Sequence, residues 1–65
     1  MWQIKITYNS GSVLYLRRLG RFRYMGVLHA EAAKTYLLQQ NALADAEYIE
    51  RTLKRHVQKV EVISC

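Results

Sequence analysis

One segment of the sequence combines the residue types that bind anions. Arginine and aromatic side chains are interleaved in it, as Tyr15, Arg17, Arg18, Arg21, Phe22, Arg23 and Tyr24. Guanidinium groups form paired hydrogen bonds with phosphates and carboxylates, and aromatic rings on a sheet can stack on bases. Arginine and aromatic residues also dominate the energetic centres of protein interfaces. The segment therefore indicates a protein-docking or nucleic-acid site, unless Phe22 and Tyr24 belong to the core.

The charge distribution points to the same half of the chain. Residues 1–28 contain five basic side chains and no acid, since the first carboxylate is Glu31. Residues 29–65 hold five basic and five acidic side chains, so the net charge of +5 resides in the first part. This asymmetry indicates an anionic partner, although it also favours solubility. We expect the partner-binding residues to be Lys5, Tyr15, Arg17, Arg18, Arg21 and Arg23.

The sequence lacks the residue sets that catalysis and metal binding need. Its histidine and cysteine side chains are His29, His56 and Cys65, which lie far apart in the chain. A metal site needs three or four ligands at workable spacing. The three glycines are isolated, so no glycine-rich phosphate loop is present. We therefore expect neither enzymatic activity, nor a bound metal, nor a cofactor.

The first two strands can be placed together with their register. Alternating apolar residues predict strands over 2–8 and 13–16, joined by a turn that contains Gly11. A two-residue loop would place Arg17 opposite Ile4 in the core, so we predict a three-residue loop with Gly11 in the left-handed region. The facing apolar-side pairs are then Ile6–Leu14, Ile4–Leu16 and Trp2–Arg18. The other face receives Gln3, Lys5, Thr7, Val13, Tyr15 and Arg17.

The middle of the chain predicts helix. Residues 28–57 contain no glycine or proline and have high helix propensity. An apolar stripe predicts a helix over 42–57, formed by Leu43, Ala46, Ile49, Leu53 and Val57. A break near residues 39–41 makes Asn41 the candidate N-cap. Residues 29–38 form either a separate helix or a short helix followed by an extended stretch over 35–38.

Together the elements predict a single small α+β domain over residues 1–65. A third strand over 21–25 follows Gly20, unless the second strand continues through a bend there. Val60 and Val62 predict a last strand over 59–63. The sheet is antiparallel or mixed, with one or two helices on one face. No apolar run reaches membrane-spanning length and the N-terminus does not resemble a signal peptide, so we expect a cytoplasmic location. The sequence leaves the oligomeric state open.

Four short segments define the layout of the chain: Ile4–Tyr8, Val13–Leu16, Ala33–Tyr36 and Val60–Ile63. This order of a hairpin, an Ala-x-x-Tyr segment, a helix and a Val-x-Val strand resembles very short proteins encoded in phage and prophage accessory genes. The resemblance implies a non-enzymatic protein that binds a host nuclease, defence complex or transcription factor, and in some cases inhibits it. We therefore expect a modulator of a host protein, with direct binding of DNA or RNA through the same basic surface as the alternative.

Overall fold

The computed structural model describes residues 1–21 and 23–65 and shows a four-stranded antiparallel sheet with one α-helix. The elements are β1 (Trp2–Tyr8), β2 (Val13–Leu19), β3 (Tyr24–Val27), a 3-10 helix (Ala30–Ala32), α1 (Gln39–Thr52) and β4 (Val57–Ser64). The strand order in the sheet is β3-β2-β1-β4, and α1 packs over β4 and β1. The predicted α+β class, with an N-terminal hairpin and a C-terminal strand, is confirmed.

The turn between β1 and β2 has the predicted three-residue loop. Gly11 has a φ of 94°, and its N–H donates to the Tyr8 carbonyl at 2.9 Å. The Tyr8 N–H donates in turn to the Ser12 carbonyl at 2.8 Å. This geometry places Ile6 opposite Leu14, as predicted. The core beneath α1 then buries Ile4, Ile6, Leu16, Tyr36, Ala42, Ala46, Ile49 and Val57.

The start of β1 and the end of β2 separate, and residues 34–36 lie between them. The Lys34 N–H donates to the Leu16 carbonyl at 2.8 Å. Trp2 and Tyr36 exchange two backbone hydrogen bonds, of 2.9 Å and 2.7 Å. Because this segment takes the place of the facing strand, two predicted pairs do not form: Ile4–Leu16 and Trp2–Arg18.

α1 begins at Gln39, so Asn41 lies inside its first turn and is not the N-cap. Leu38 holds the N-cap position with extended backbone and no capping side-chain hydrogen bond. The buried residues of α1 are Ala42, Ala46 and Ile49. Leu43 of the predicted stripe is 50% exposed. Ala42 and Leu43 both lie three or four residues from Ala46, so either one fits the stripe. In the structure the small Ala42 faces the sheet and Leu43 does not.

α1 also ends earlier than predicted, at Thr52. The Leu53 N–H closes the last turn on the Ile49 carbonyl at 2.8 Å. Val57 is then the first residue of β4, where it is buried opposite Tyr8. Pairing with β1 therefore outweighs the helix propensity of residues 53–57.

Residues 29–38 follow the second predicted alternative, a short helix and then extended backbone. The break in helical structure therefore precedes residues 39–41. Side chains fasten the extended part to α1, because the Tyr36 hydroxyl donates to Asp45 Oδ2 at 2.5 Å. Lys34 Nζ lies 4.0 Å from the same carboxylate oxygen and 4.6 Å from the centre of the Tyr36 ring.

The third strand is present, but it spans Tyr24–Val27 and not 21–25. A tight turn delays its start, since the Gly20 N–H donates to the Arg23 carbonyl at 2.7 Å. Gly26 lies within the strand opposite Leu16. Tyr24 is 39% exposed and so lies at the surface, while Phe22 falls outside the described residues.

Candidate functional site

A β-bulge at Arg17 changes the sheet face on which the following residues of β2 lie. Leu16 lies opposite Gly26, and Arg18 lies opposite Met25, so Arg17 is the extra residue of β2. Such a bulge bends its strand and re-aims side chains. Leu19 thereby returns to the core side and packs partly against the core.

Two of the predicted residues are neighbours on the open face, which is the sheet face opposite α1. Lys5 and Tyr15 face each other across β1 and β2, and Glu61 of β4 lies on the other side of Lys5. All three are partly buried within the sheet surface. By its register with Met25, the exposed Arg18 belongs to the same face.

The 3-10 helix covers one end of this open face. Arg17 Nη1 donates to the Ala32 carbonyl at 2.5 Å, and Gln3 Nε2 donates to the Ala30 carbonyl at 2.7 Å. Gln3 is consequently buried, although it lies on the face that was predicted to be open. Arg17 therefore has a structural contact with residue 32.

The opposite face holds a groove of about 320 Å³ between α1 and the turn that joins β2 to β3. Its described lining consists of Leu19, Gly20, Arg21, Arg23, Tyr24, Tyr48, Ile49, Thr52 and Leu53. Aliphatic side chains from both layers provide apolar surface, and arginines from the turn provide positive charge. No carboxylate belongs to this lining, so the groove combines an apolar interior with a cationic rim.

Tyrosine hydroxyls hold the walls of the groove in place. The Tyr8 and Tyr24 hydroxyls are hydrogen-bonded at 2.8 Å, and the Tyr48 hydroxyl donates to the Arg21 carbonyl at 3.3 Å. Burial, with a smaller contribution from the hydrogen bond to Tyr24, raises the pKa of Tyr8 above its ordinary value. Tyr8 therefore remains neutral at physiological pH, and the charge near the groove comes from guanidinium groups.

The protein's own carboxylates leave most of the predicted cations available. Within the described residues, Arg17, Arg18 and Arg23 form no ion pair with a carboxylate, and all three side chains are exposed. Two of the acids have other partners, since Asp45 pairs with Lys34 and Glu61 lies 3.7 Å from Lys59. A cationic surface is thus presented to solvent.

The structure therefore splits the six predicted residues into groups. Arg21 and Arg23 lie together at the groove, Lys5, Tyr15 and Arg18 lie on the open face, and Arg17 contacts the 3-10 helix. The sequence reasoning missed the groove residues supplied by α1, of which Tyr48 had a usable signal. It is an aromatic residue directly beside the apolar stripe, where a helix flank borders the core.

Comparisons of the chain with protein-family models, with curated proteins and with solved structures found no match. Across the described residues, no group of three or more histidine, cysteine or acidic side chains is placed to hold a metal ion. In that same part of the chain, no helix has both the length and the apolar character to cross a membrane.

Proposed function

We propose that this chain is a small non-enzymatic cytoplasmic protein that binds and modulates a host protein, and that the arginine-rimmed groove is its docking site. The observation that carries this proposal is the lining of the groove, which joins apolar side chains to cationic ones and contains no acid among its described members. The complementary partner presents an apolar side chain flanked by carboxylates. That the partner is a host factor rests on the likeness in layout to phage accessory proteins.

The dimensions of the groove fit an anchoring side chain better than a nucleic-acid strand. A volume of about 320 Å³ is comparable with the smallest ligand pockets. Interfaces obtain most of their binding energy from a few side chains buried in such pockets, with arginine and tyrosine among the commonest contributors. Arg23 and Tyr24 lie at the groove in this arrangement.

Direct binding of DNA or RNA is the second candidate, and the positions of the aromatic residues make it the weaker one. Sequence-tolerant binding of single strands uses aromatic rings that stack on successive bases. Tyr24 is hydrogen-bonded to Tyr8 beside the groove, and Tyr15 is partly buried between Lys5 and Val27 on the open face. Tyr15 and Tyr24, the described aromatic residues of this segment, therefore lie on different faces and do not form one exposed row.

A titration with designed peptides tests the groove. The probe is a peptide with one phenylalanine flanked by glutamates, and its controls replace the glutamates with glutamine or the phenylalanine with alanine. We expect binding of the acidic phenylalanine peptide, with the largest amide chemical-shift changes at Tyr48, Thr52 and Leu53. Binding by the alanine control at equal affinity would show that the groove is not the anchor site.

Two matched arginine variants separate groove binding from general attraction to cations. Arg23→Glu changes a groove residue, whereas Arg18→Glu makes the same charge change on the open face. We expect Arg23→Glu to weaken peptide binding about tenfold and Arg18→Glu to weaken it much less. Equal losses in both variants would overturn the assignment.

The nucleic-acid alternative has its own measurement. Each phosphate that the protein neutralises contributes about −0.7 to −0.9 to the slope of log affinity against log salt. Oligonucleotide affinity with a slope near −3, reduced alike by changes at Arg18 and Arg23, would favour that alternative. Absence of oligonucleotide binding at low salt would remove it.

A further inference from the structure

β4 forms an exposed edge of the sheet. Among the described residues, β1 is the strand hydrogen-bonded to it, and the other side of the eight-residue strand has no strand beside it. The strand contains no proline. An edge of this kind offers its backbone N–H and C=O groups to another strand.

Backbone hydrogen bonds in β1 show which way its alternate residues face. The Tyr8 N–H donates to the Ser12 carbonyl on the β2 side, and Trp2 bonds on that side with Tyr36. In an antiparallel ladder, successive residues direct their backbone groups to opposite sides. The even-numbered residues of β1 therefore direct their backbone N–H and C=O groups away from β4. The odd-numbered residues, such as Lys5, direct theirs towards β4.

The same alternation determines the outward groups of β4. Lys5 lies opposite Glu61 and directs its backbone groups towards β4. These two residues therefore form a hydrogen-bonded pair between β1 and β4. The residues on either side of Glu61 then direct their N–H and C=O groups outward. Val60 and Val62 thus supply the donors and acceptors of the free edge.

We propose that β4 pairs antiparallel with β4 of a second copy of this chain, about a two-fold axis at Val60, to form a continuous eight-stranded sheet. In this register Val60 meets its own copy as a hydrogen-bonded pair. Lys59 meets Glu61 of the second copy, and the symmetry repeats that contact. Centring the axis on Lys59 or on Glu61 would instead place like charges face to face, which is unfavourable.

The charged side chains of β4 are already placed for this register. Lys59 Nζ lies 3.7 Å from Glu61 Oε1, and the two side chains are 60% and 40% exposed. Between the copies they fall at non-hydrogen-bonded positions, where facing side chains are closest. The dimer therefore brings two lysines and two glutamates together in alternation on the open face.

α1 borders the β4 edge in the second layer. A concave surface of about 470 Å³ lies between α1 and the start of β4, lined by Glu47, Glu50, Arg51, Lys54, Val57 and Gln58. A two-fold axis perpendicular to the sheet sets the two α1 helices antiparallel on the same face. The lining of this surface carries both acidic and basic side chains from α1. The charge complementarity of Lys59 and Glu61 along β4 identifies a second copy as the occupant of this edge.

A charge-exchange experiment tests the register. Sedimentation equilibrium from about 1 μM to about 1 mM, in reducing buffer so that the exposed Cys65 forms no disulfide, should show a monomer–dimer equilibrium. Lys59→Glu and Glu61→Lys should each raise the dissociation constant about tenfold, because each replaces two attractive contacts with two repulsive ones. Mixing these two variants should give a heterodimer, and the double variant should recover the affinity of the original chain.

Controls separate this proposal from the proposed docking function. Glu31→Lys changes the net charge as Glu61→Lys does but lies on the 3-10 helix, so it should leave dimerisation unchanged. Circular dichroism must show that every variant is folded. A chain that stays monomeric up to 1 mM, or single variants that do not recover on mixing, would overturn the β4 interface. Peptide binding to the groove would be unaffected by either result, because the groove lies next to β2 and β3.

Discussion

Replacing each glycine with alanine tests the turn that places the binding residues on their faces. Gly11 has a φ of 94°, and a Cβ built there would have no atom within 4 Å. The cost of Gly11→Ala is therefore purely conformational, about 1–2 kcal/mol for an L-residue in the left-handed region. A stiffer unfolded chain offsets about 0.4–1 kcal/mol of this cost. We expect a net loss of about 1 kcal/mol in the free energy of unfolding.

The other two glycines are the matched controls. A Cβ at Gly20 would lie 3.5 Å from the Arg23 carbonyl, which is ordinary contact, so Gly20→Ala should be neutral or slightly stabilising. A Cβ at Gly26 would lie 3.0 Å from both Cβ and Cδ1 of Leu14. Gly26→Ala must therefore displace the Leu14 side chain and should cost about 1–3 kcal/mol.

Urea unfolding followed by Trp2 fluorescence measures the series, since Trp2 is the one tryptophan and packs against the core. The m-value should stay constant while the midpoint shifts. Gly11→Asn should recover part of the loss, because asparagine tolerates the left-handed region. If Gly11→Ala proves as stable as Gly20→Ala, the backbone of residue 11 is not in the left-handed region. The three-residue loop and the hairpin register derived from it would then be wrong.

Three further predictions concern the core and its tyrosines. Ile49 is 2% exposed, so Ile49→Ala should lower the free energy of unfolding by about 2–5 kcal/mol. That is a large part of the stability of so small a domain, and a lower midpoint of thermal unfolding would show it. Tyr36→Phe removes a hydrogen bond to Asp45 and should lower the free energy of unfolding, measured in urea, by about 1–2 kcal/mol. The loss is smaller than for a fully buried bond because the carboxylate is 33% exposed. In a chain that already carries Tyr36→Phe, Asp45→Ala should add little further loss. Burial first, and hydrogen bonding second, raise the pKa values of Tyr8 and Tyr36 above 10.0. As the pH rises, the unfolded chain therefore loses these protons before the folded protein does. The free energy of unfolding should hold below about pH 10 and fall above it. Replacing both tyrosines with phenylalanine should flatten that fall, as measured by urea midpoints from pH 8 to 11.

The β1–β2 hairpin could be predicted because two independent patterns agree in it. Alternation determined the faces, and the position of Gly11 selected the one loop length that keeps Arg17 away from Ile4. A slip of one residue would have exchanged the faces of the whole strand. The sequence was therefore sufficient for the register up to Lys5 and Tyr15.

The bounds of α1 were less accessible because helix propensity is high well beyond it. Residues 53–57 suit a helix locally, yet Val57 joins the sheet opposite Tyr8. At the other end, Asn41 has a suitable side chain for an N-cap, but burying Ala42 requires the helix to start earlier. Tertiary packing decided both ends, and a single sequence does not show which distant segments will pack together.

The candidate site was predicted in its composition and not in its geometry. Arg21, Arg23 and Tyr24 of the arginine and aromatic segment lie at the groove, whereas Arg18 lies on the open face. The insertion of residues 34–36 between β1 and β2 also could not be predicted, because it does not change the alternation of apolar and polar residues in either strand. Both features depend on backbone pairing across the sheet, which residue spacing along one strand does not reveal.

The place of β1 in the middle of the sheet has a consequence for the order of events in folding. Its partner on one side, β2, follows after a short loop, and hairpins of this kind form in about 1–10 μs. Its partner on the other side is remote, since Trp2 lies opposite Ser64. Closing so long a loop carries a larger entropic cost before any contact rewards it. We therefore expect the hairpin to form before β4 pairs with β1, and the closing of this long loop to limit the folding rate.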